Sequence, residues 1–197
     1  MLCAIGQRRE VGVDVPHVIA TVSAAEMEGI PSIATEMLEG ETLRHNVNEH
    51  SIDFFNNEFV RWETWIQIQD VLTGQIDRHW SNIIVTKDGP IGIDHDLSFP
   101  TNTPQNCCCI PPVIDREMYS VIMAINLSRL QAMYQECGLT RPEVSAAMAR
   151  AEGLQARAQE LMDQDLVIEP DQWEASPLMR THCNPQNFYA AQNWGGK

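Results

Sequence analysis

A chain of 197 residues buries one good core, in one or two lobes, and 44% hydrophobic with 20% charged residues is ordinary for a globular protein. Lysine and arginine number 13 against 27 aspartates and glutamates, and the formal charge of -14 repels phosphate backbones and releases no counterions, which excludes nucleic acid as a partner. No apolar run approaches the roughly 18 residues of a membrane span, so no integral membrane association is expected, and the same acidity opposes docking on an anionic leaflet.

The N-terminus places its basic residues, Arg8 and Arg9, after a short apolar stretch, the reverse of an export signal. Residues 12–21 and 31–37 are β-prone and read as a hairpin, separated by a stretch that ends in Glu28-Gly29. From Ser51 to about Leu72, Phe55, Phe59, Trp62 and Ile66 keep helical spacing, with Trp65, Ile68 and Leu72 beside them. That spacing predicts a buried helix with Gly74 as its stop. Asp70, near its end, either braces the following loop or is solvated.

Residues 83–86 and 91–93 are short β-prone runs around Lys87-Asp88-Gly89-Pro90, in which Asp88-Gly89 is a favoured turn pair. Folding this hairpin back sets Asn82 beside Asp94. Residues 100–114, with four prolines, form a loop. Helices are expected over Asp115–Cys137 and Thr140–Met162. The second opens with a capping-box pattern, Thr140-Arg141-Pro142-Glu143, and would bury Val144, Met148, Ala151, Leu154 and Ala158. The remainder to Lys197 is polar and irregular.

Of the six cysteines, Cys107, Cys108 and Cys109 are adjacent, without the spacing of a structural zinc site. Neighbouring cysteines also bridge each other only with strain, so free thiols in a reducing cytoplasm are expected. His17, His45 and His50 have no neighbours that suggest chemistry.

Asp77-Arg78-His79-Trp80-Ser81-Asn82, then the hairpin, then Asp94 is a layout suited to phosphoryl transfer. That chemistry needs one acid to orient or deprotonate the attacking hydroxyl and an oxygen-rich pair to hold Mg²⁺ against the nucleotide phosphates. Asp77 suits the first role; Asn82 and Asp94 suit the second. A metal hydrolase built on Asp77, His79, Asp94, His95 and Asp96 has suitable ligand types too, although it gives Asn82 no role.

The stretch from Asp70 through Asp77-Arg78-His79-x-x-Asn82 to Ile93-Asp94 resembles the catalytic and metal-binding loops of the phosphatidylinositol 3- and 4-kinase-like branch of the protein kinase fold. Asp94-His95 is similar to the metal-binding pair of a family of secreted kinases, and Leu97-Ser98-Phe99-Pro100 to the stretch after the metal aspartate in type II phosphatidylinositol 4-kinases. The close likeness covers residues 70–100, with a looser one from about 12 to 165.

The resemblance implies an α+β, kinase-like fold, with residues 1–40 as a partial N-terminal lobe and hinge and residues 41–197 as a mainly helical C-terminal lobe. It implies Asp77 as the catalytic acid, with Arg78 and His79 of the same loop either catalytic or holding the carboxylates and backbone in place. Asn82 and Asp94 become ligands of Mg²⁺ or Mn²⁺; Asp96 is a second metal ligand or a surface charge. Glu36, Met37 and Leu38 become the hinge whose backbone meets the adenine of ATP. The acceptor is a hydroxyl of a protein or small molecule, with a phosphoinositide headgroup as the alternative.

Such a site also needs a Gly-rich cover over the phosphates and a strand lysine, and here lysine occurs only at 87 and 197. Three explanations compete: a fragment of a longer kinase, an enzyme using Arg8 or Arg9 instead, or a nucleotide-binding or scaffold protein without activity.

Overall fold

The computed structural model describes residues 22–35, 37–50, 57–101 and 113–173. The β-prone segment 12–21, Arg8, Arg9, His17, Glu36, Phe55, the cysteine triplet and the tail after Trp173 lie outside them.

Glu28 and Gly29 both have positive φ, 53° and 79°, so the first hairpin closes through two residues in a turn of the I′ kind. So tight a turn obliges its strands to flank it directly. Strand β1 is Val22–Met27 and β2 is Ile30–Thr35, with Met27 opposite Ile30. The expected strand over 31–37 therefore corresponds to β2, whereas its partner is 22–27, a stretch whose sequence reads as a connection.

Strand β3 (Glu41–Thr42) runs straight into an unanticipated helix, α1 (Leu43–His50), where the Thr42 hydroxyl accepts the His45 N–H at 3.2 Å. Helix α2 spans Asn57–Thr73 and is buried on nearly all sides: Trp65, Ile66 and Ile68 lie in the core, and so do Thr64, Gln67 and Asp70. Phe59, Trp62 and Leu72 are only partly covered. The expected hairpin forms as β4 (Ile83–Thr86) and β5 (Gly89–Gly92), and β3 adds to the free side of β4 to give the order β3-β4-β5. Its loop is Lys87-Asp88, one residue earlier than the Asp88-Gly89 pair expected, because Gly89 already pairs with Thr86.

The single helix expected over 115–137 is two. Helix α3 (Arg116–Met123) stops where Ile125 turns into the core, and α4 (Leu127–Glu136) restarts with the Asn126 side chain accepting the Arg129 N–H at 3.0 Å. Helix α5 (Arg141–Asp163) begins as expected: the Glu143 carboxylate accepts both the N–H and the hydroxyl of Thr140 at 2.6 Å. Val144, Ala151, Leu154 and Ala158 are buried, whereas Met148 is half-exposed and Ala147 and Leu161 take core positions.

Beyond α5 the chain is not wholly irregular. Strand β7 (Val167–Ile168) pairs in parallel with β6 (Ile114–Asp115), and the Trp173 ring is buried. Asp115 organises this corner. Its Oδ1 accepts the Met118 N–H at 2.8 Å and caps α3, while Oδ2 accepts Arg61 Nε at 2.6 Å and Trp173 Nε1 at 3.0 Å. The architecture is α+β, with helices α2, α3 and α5 around one core and small separate sheets at its margin. No helix among the described residues is long and apolar enough to cross a membrane.

Candidate active site

Helix α2 ends at Gly74, whose φ of 66° reverses the chain without a Cβ penalty. The Gly74 N–H donates to Val71 O at 3.2 Å and the Gln75 N–H to Asp70 O at 2.9 Å, the paired bonds of a Schellman stop. The loop carrying Asp77 therefore leaves the helix in a fixed direction.

Asp70 braces that loop. Its two carboxylate oxygens accept Arg78 Nε and Nη2, each at 2.9 Å, with side-chain exposures of 8% and 1% for Asp70 and Arg78. Arg78 Nη1 continues to Asn82 O at 2.6 Å and Ile93 O at 2.8 Å, so one guanidinium ties the helix end, the loop and the exit of β5 together. Gly92 leaves room for it, since a Cβ there would stand 2.9 Å from Arg78 Nη2. Arg78 lies behind the loop, and its donors hold the chain rather than face the open side.

Asn82 closes the short 3₁₀ turn Trp80–Asn82, and its O also accepts the Ile93 N–H at 2.9 Å, which extends the β4–β5 ladder and sets Asn82 across from Ile93, beside Asp94. The Asn82 Nδ2 donates to Asp77 O at 2.9 Å, leaving the amide oxygen as the group Asn82 presents. Asp94 sits at φ 59°, a left-handed position that aspartate tolerates better than most residues. Its carboxyl pKa is raised above 3.8, first by a hydrogen bond shared with Asp96, then by burial and the negative charges of Asp96 and Asp77, with His79 acting in the opposite sense. Asp77, Asp94 and Asp96 thus form one acidic rim around Asn82.

His79 is exposed. Its Nδ1 accepts the Ser81 N–H at 3.2 Å, which places the proton of the neutral ring on Nε2, 3.9 Å from Asp77 Oδ2. His95 faces inward. Arginine has only donors, so His95 Nδ1, 3.4 Å from Arg78 Nη2, accepts, and Nε2 carries its proton toward Gly92 O at 3.2 Å. Both ring nitrogens are engaged, which removes His95 as a ligand and takes a central residue from the hydrolase reading. Among the described residues, no group of three or more His, Cys, Asp or Glu forms a metal cage.

Burial, then the charge of Arg78, hold the His95 pKa below its ordinary 6.5. The unfolded chain takes up that proton near 6.5 while the folded chain resists it, so the unfolded state binds more protons between the two values and stability falls as pH drops through that window. Above it the contribution is complete. Melting temperatures of wild type and His95→Asn, followed from about pH 8 to about pH 5, should therefore diverge least at the acid end. A gap that does not narrow on acidification would contradict the neutral, inward-facing ring.

Of the residues expected at the adenine, Glu36 lies outside the described residues. Met37 is 92% exposed and Leu38 half-buried, on the connection from β2 into β3. Lys87 is exposed in the β4–β5 turn, at the end of the hairpin away from Asn82 and Asp94. A residue that the sequence does not single out is Gln75, whose buried side chain accepts the Asp77 N–H through Oε1 at 3.1 Å and donates Nε2 to Asp94 O at 2.7 Å. A polar residue directly after the helix-stopping glycine is its one local signal. Comparison with protein-family models finds none that matches this chain, and comparison with curated proteins finds no match either, so the chemistry has to be read from these residues.

Proposed function

We propose that this chain is an ATP- and Mg²⁺- or Mn²⁺-dependent phosphotransferase domain of kinase-like architecture, acting on a hydroxyl of a protein or small molecule. The observation that carries the reading is the Asn82 bridge: its side-chain Nδ2 donates to the Asp77 carbonyl at 2.9 Å while its main-chain carbonyl accepts the Ile93 N–H at 2.9 Å, which gathers Asp77, Asn82 and Asp94 on one face. The donor set is all oxygen and small, which suits a hard cation that retains waters and leans on substrate phosphates. Asn82 Oδ1 and the carboxylates of Asp94 and Asp96 would hold that ion. When bound, it neutralises the nucleotide phosphates and the charge that develops during transfer.

Asp77, half-exposed beside this group, accepts the proton of the acceptor hydroxyl and aims its oxygen. His79 turns its Nε2 toward the Asp77 carboxylate, at 3.9 Å. Met37 and Leu38 supply the adenine side, because they lead into β3, whose Glu41 pairs with Val85 of the same hairpin. Net acidity of -14 favours a protein or neutral small-molecule acceptor over a phosphoinositide.

The position of Lys87 supports a second reading, a nucleotide-binding module with little turnover: no lysine other than Lys87 and Lys197 exists to contact the phosphates. The experiment is a thermal melt. Mg²⁺ or Mn²⁺ together with ATP should raise the melting temperature while either alone does much less, since a ligand at 100 times its dissociation constant adds about 2.7 kcal/mol. Asp94→Ala should remove the shift. A flat response in wild type rejects nucleotide binding, and a shift without transfer of label from radiolabelled ATP selects the second reading.

A further inference from the structure

Two carboxylates divide the proposed chemistry, and something must hold them at a fixed separation. Asp77 follows the helix stop and Asp94 follows β5, with Gln75 and Asp94 nineteen positions apart in sequence. Asp77 is fixed through its peptide groups: Asn82 Nδ2 binds its carbonyl at 2.9 Å and Gln75 Oε1 binds its N–H at 3.1 Å. Gln75 is itself buried, only 1% exposed, with its own N–H committed to Asp70 O at 2.9 Å. The other end of the same amide donates to Asp94 O at 2.7 Å, at the residue whose φ of 59° aims its carboxylate.

We propose that Gln75 is the positioning residue that sets the spacing between the acceptor side and the nucleotide side of the site, holding Asp77 through its main-chain N–H and Asp94 through its main-chain carbonyl. The inference rests on the phosphotransfer reading for its consequence, though the bridge itself does not. Glutamine suits the task because one rigid amide offers an acceptor and a donor at opposite corners. A carboxylate of the same shape keeps the acceptor for Asp77 and sets an oxygen against the Asp94 carbonyl. Methionine keeps the volume and loses both bonds.

The two replacements therefore fail differently. Gln75→Glu should leave the Asp77 amide protected from hydrogen exchange, followed by NMR, and weaken Mn²⁺–ATP binding about 10- to 100-fold, the range for outer-shell partners of metal ligands. Gln75→Met should lose the protection as well, while both variants keep cooperative melts. Unchanged Asp77 exchange in Gln75→Met, or unchanged Mn²⁺–ATP affinity in Gln75→Glu, overturns the proposal. Unfolding of both variants overturns it too, because Gln75 then serves the core and not the spacing. If wild type binds no Mn²⁺–ATP, the phosphotransfer reading fails by itself, and the exchange of the Asp77 amide still decides whether the bridge exists.

Discussion

Asp70→Ala is expected to cost about 3–5 kcal/mol in denaturant unfolding, the range for breaking a buried ion pair by removing one partner. The loss comes from what remains: a guanidinium with 1% side-chain exposure, stripped of the carboxylate that holds its Nε and Nη2. Asn82 O, Ile93 O and the His95 ring, which it also meets, are neutral and do not replace a carboxylate. The paired change Asp70→Leu with Arg78→Met should cost less than the single one, since burying matched apolar groups avoids the stranded charge. A loss below about 1 kcal/mol, the range of exposed pairs, would show that Arg78 finds water or another acid when Asp70 is gone.

Turnover and affinity should separate at the two ends of the site. Whatever rate of phosphotransfer the wild-type chain supports, Asp77→Asn should lower it about 10² to 10⁴-fold, the usual contribution of a positioned proton acceptor, while Mg²⁺–ATP affinity stays near wild type. Asp94→Ala should instead weaken the binding of Mg²⁺–ATP, measured by calorimetry. In the apo form that change relieves the repulsion of Asp94 with Asp96 and Asp77, which a raised carboxyl pKa reports, and adds the strain of alanine at a φ of 59°. Equal loss of nucleotide affinity in both variants would contradict the division of roles.

What the sequence makes legible is what depends on short-range pattern. The β4–β5 hairpin, the stop at Gly74 and the capping box at Thr140 are each specified within a few residues, and the placement of Asn82 beside Asp94 follows from the hairpin alone. The break between α3 and α4 is missed because Ala124 and Asn126 do not interrupt the apolar spacing strongly. Its cause is the burial of Ile125, a tertiary event. Strand β7 and the burial of Trp173 depend on pairing with residues some fifty positions earlier, and no local pattern announces them. In the site, Asp70 leaves two roles open from sequence, and only the fold decides between them by burying it against Arg78. Gln75 is invisible for the same reason, since its partners are peptide groups that carry no side-chain signature.

That last property extends across the site. Apart from Asp70, the groups that receive its tying hydrogen bonds are largely main-chain oxygens: Asn82 and Ile93 for Arg78, Asp94 for Gln75, Asp77 for Asn82. A peptide oxygen persists whatever side chain its residue bears. Evolutionary drift at a receiving position such as Ile93 thus leaves the acceptor in place, whereas exchange of a donor removes a bond outright. Two such chains can diverge widely around these loops and still superimpose at Asp77 and Asp94, provided the few residues that reach across remain.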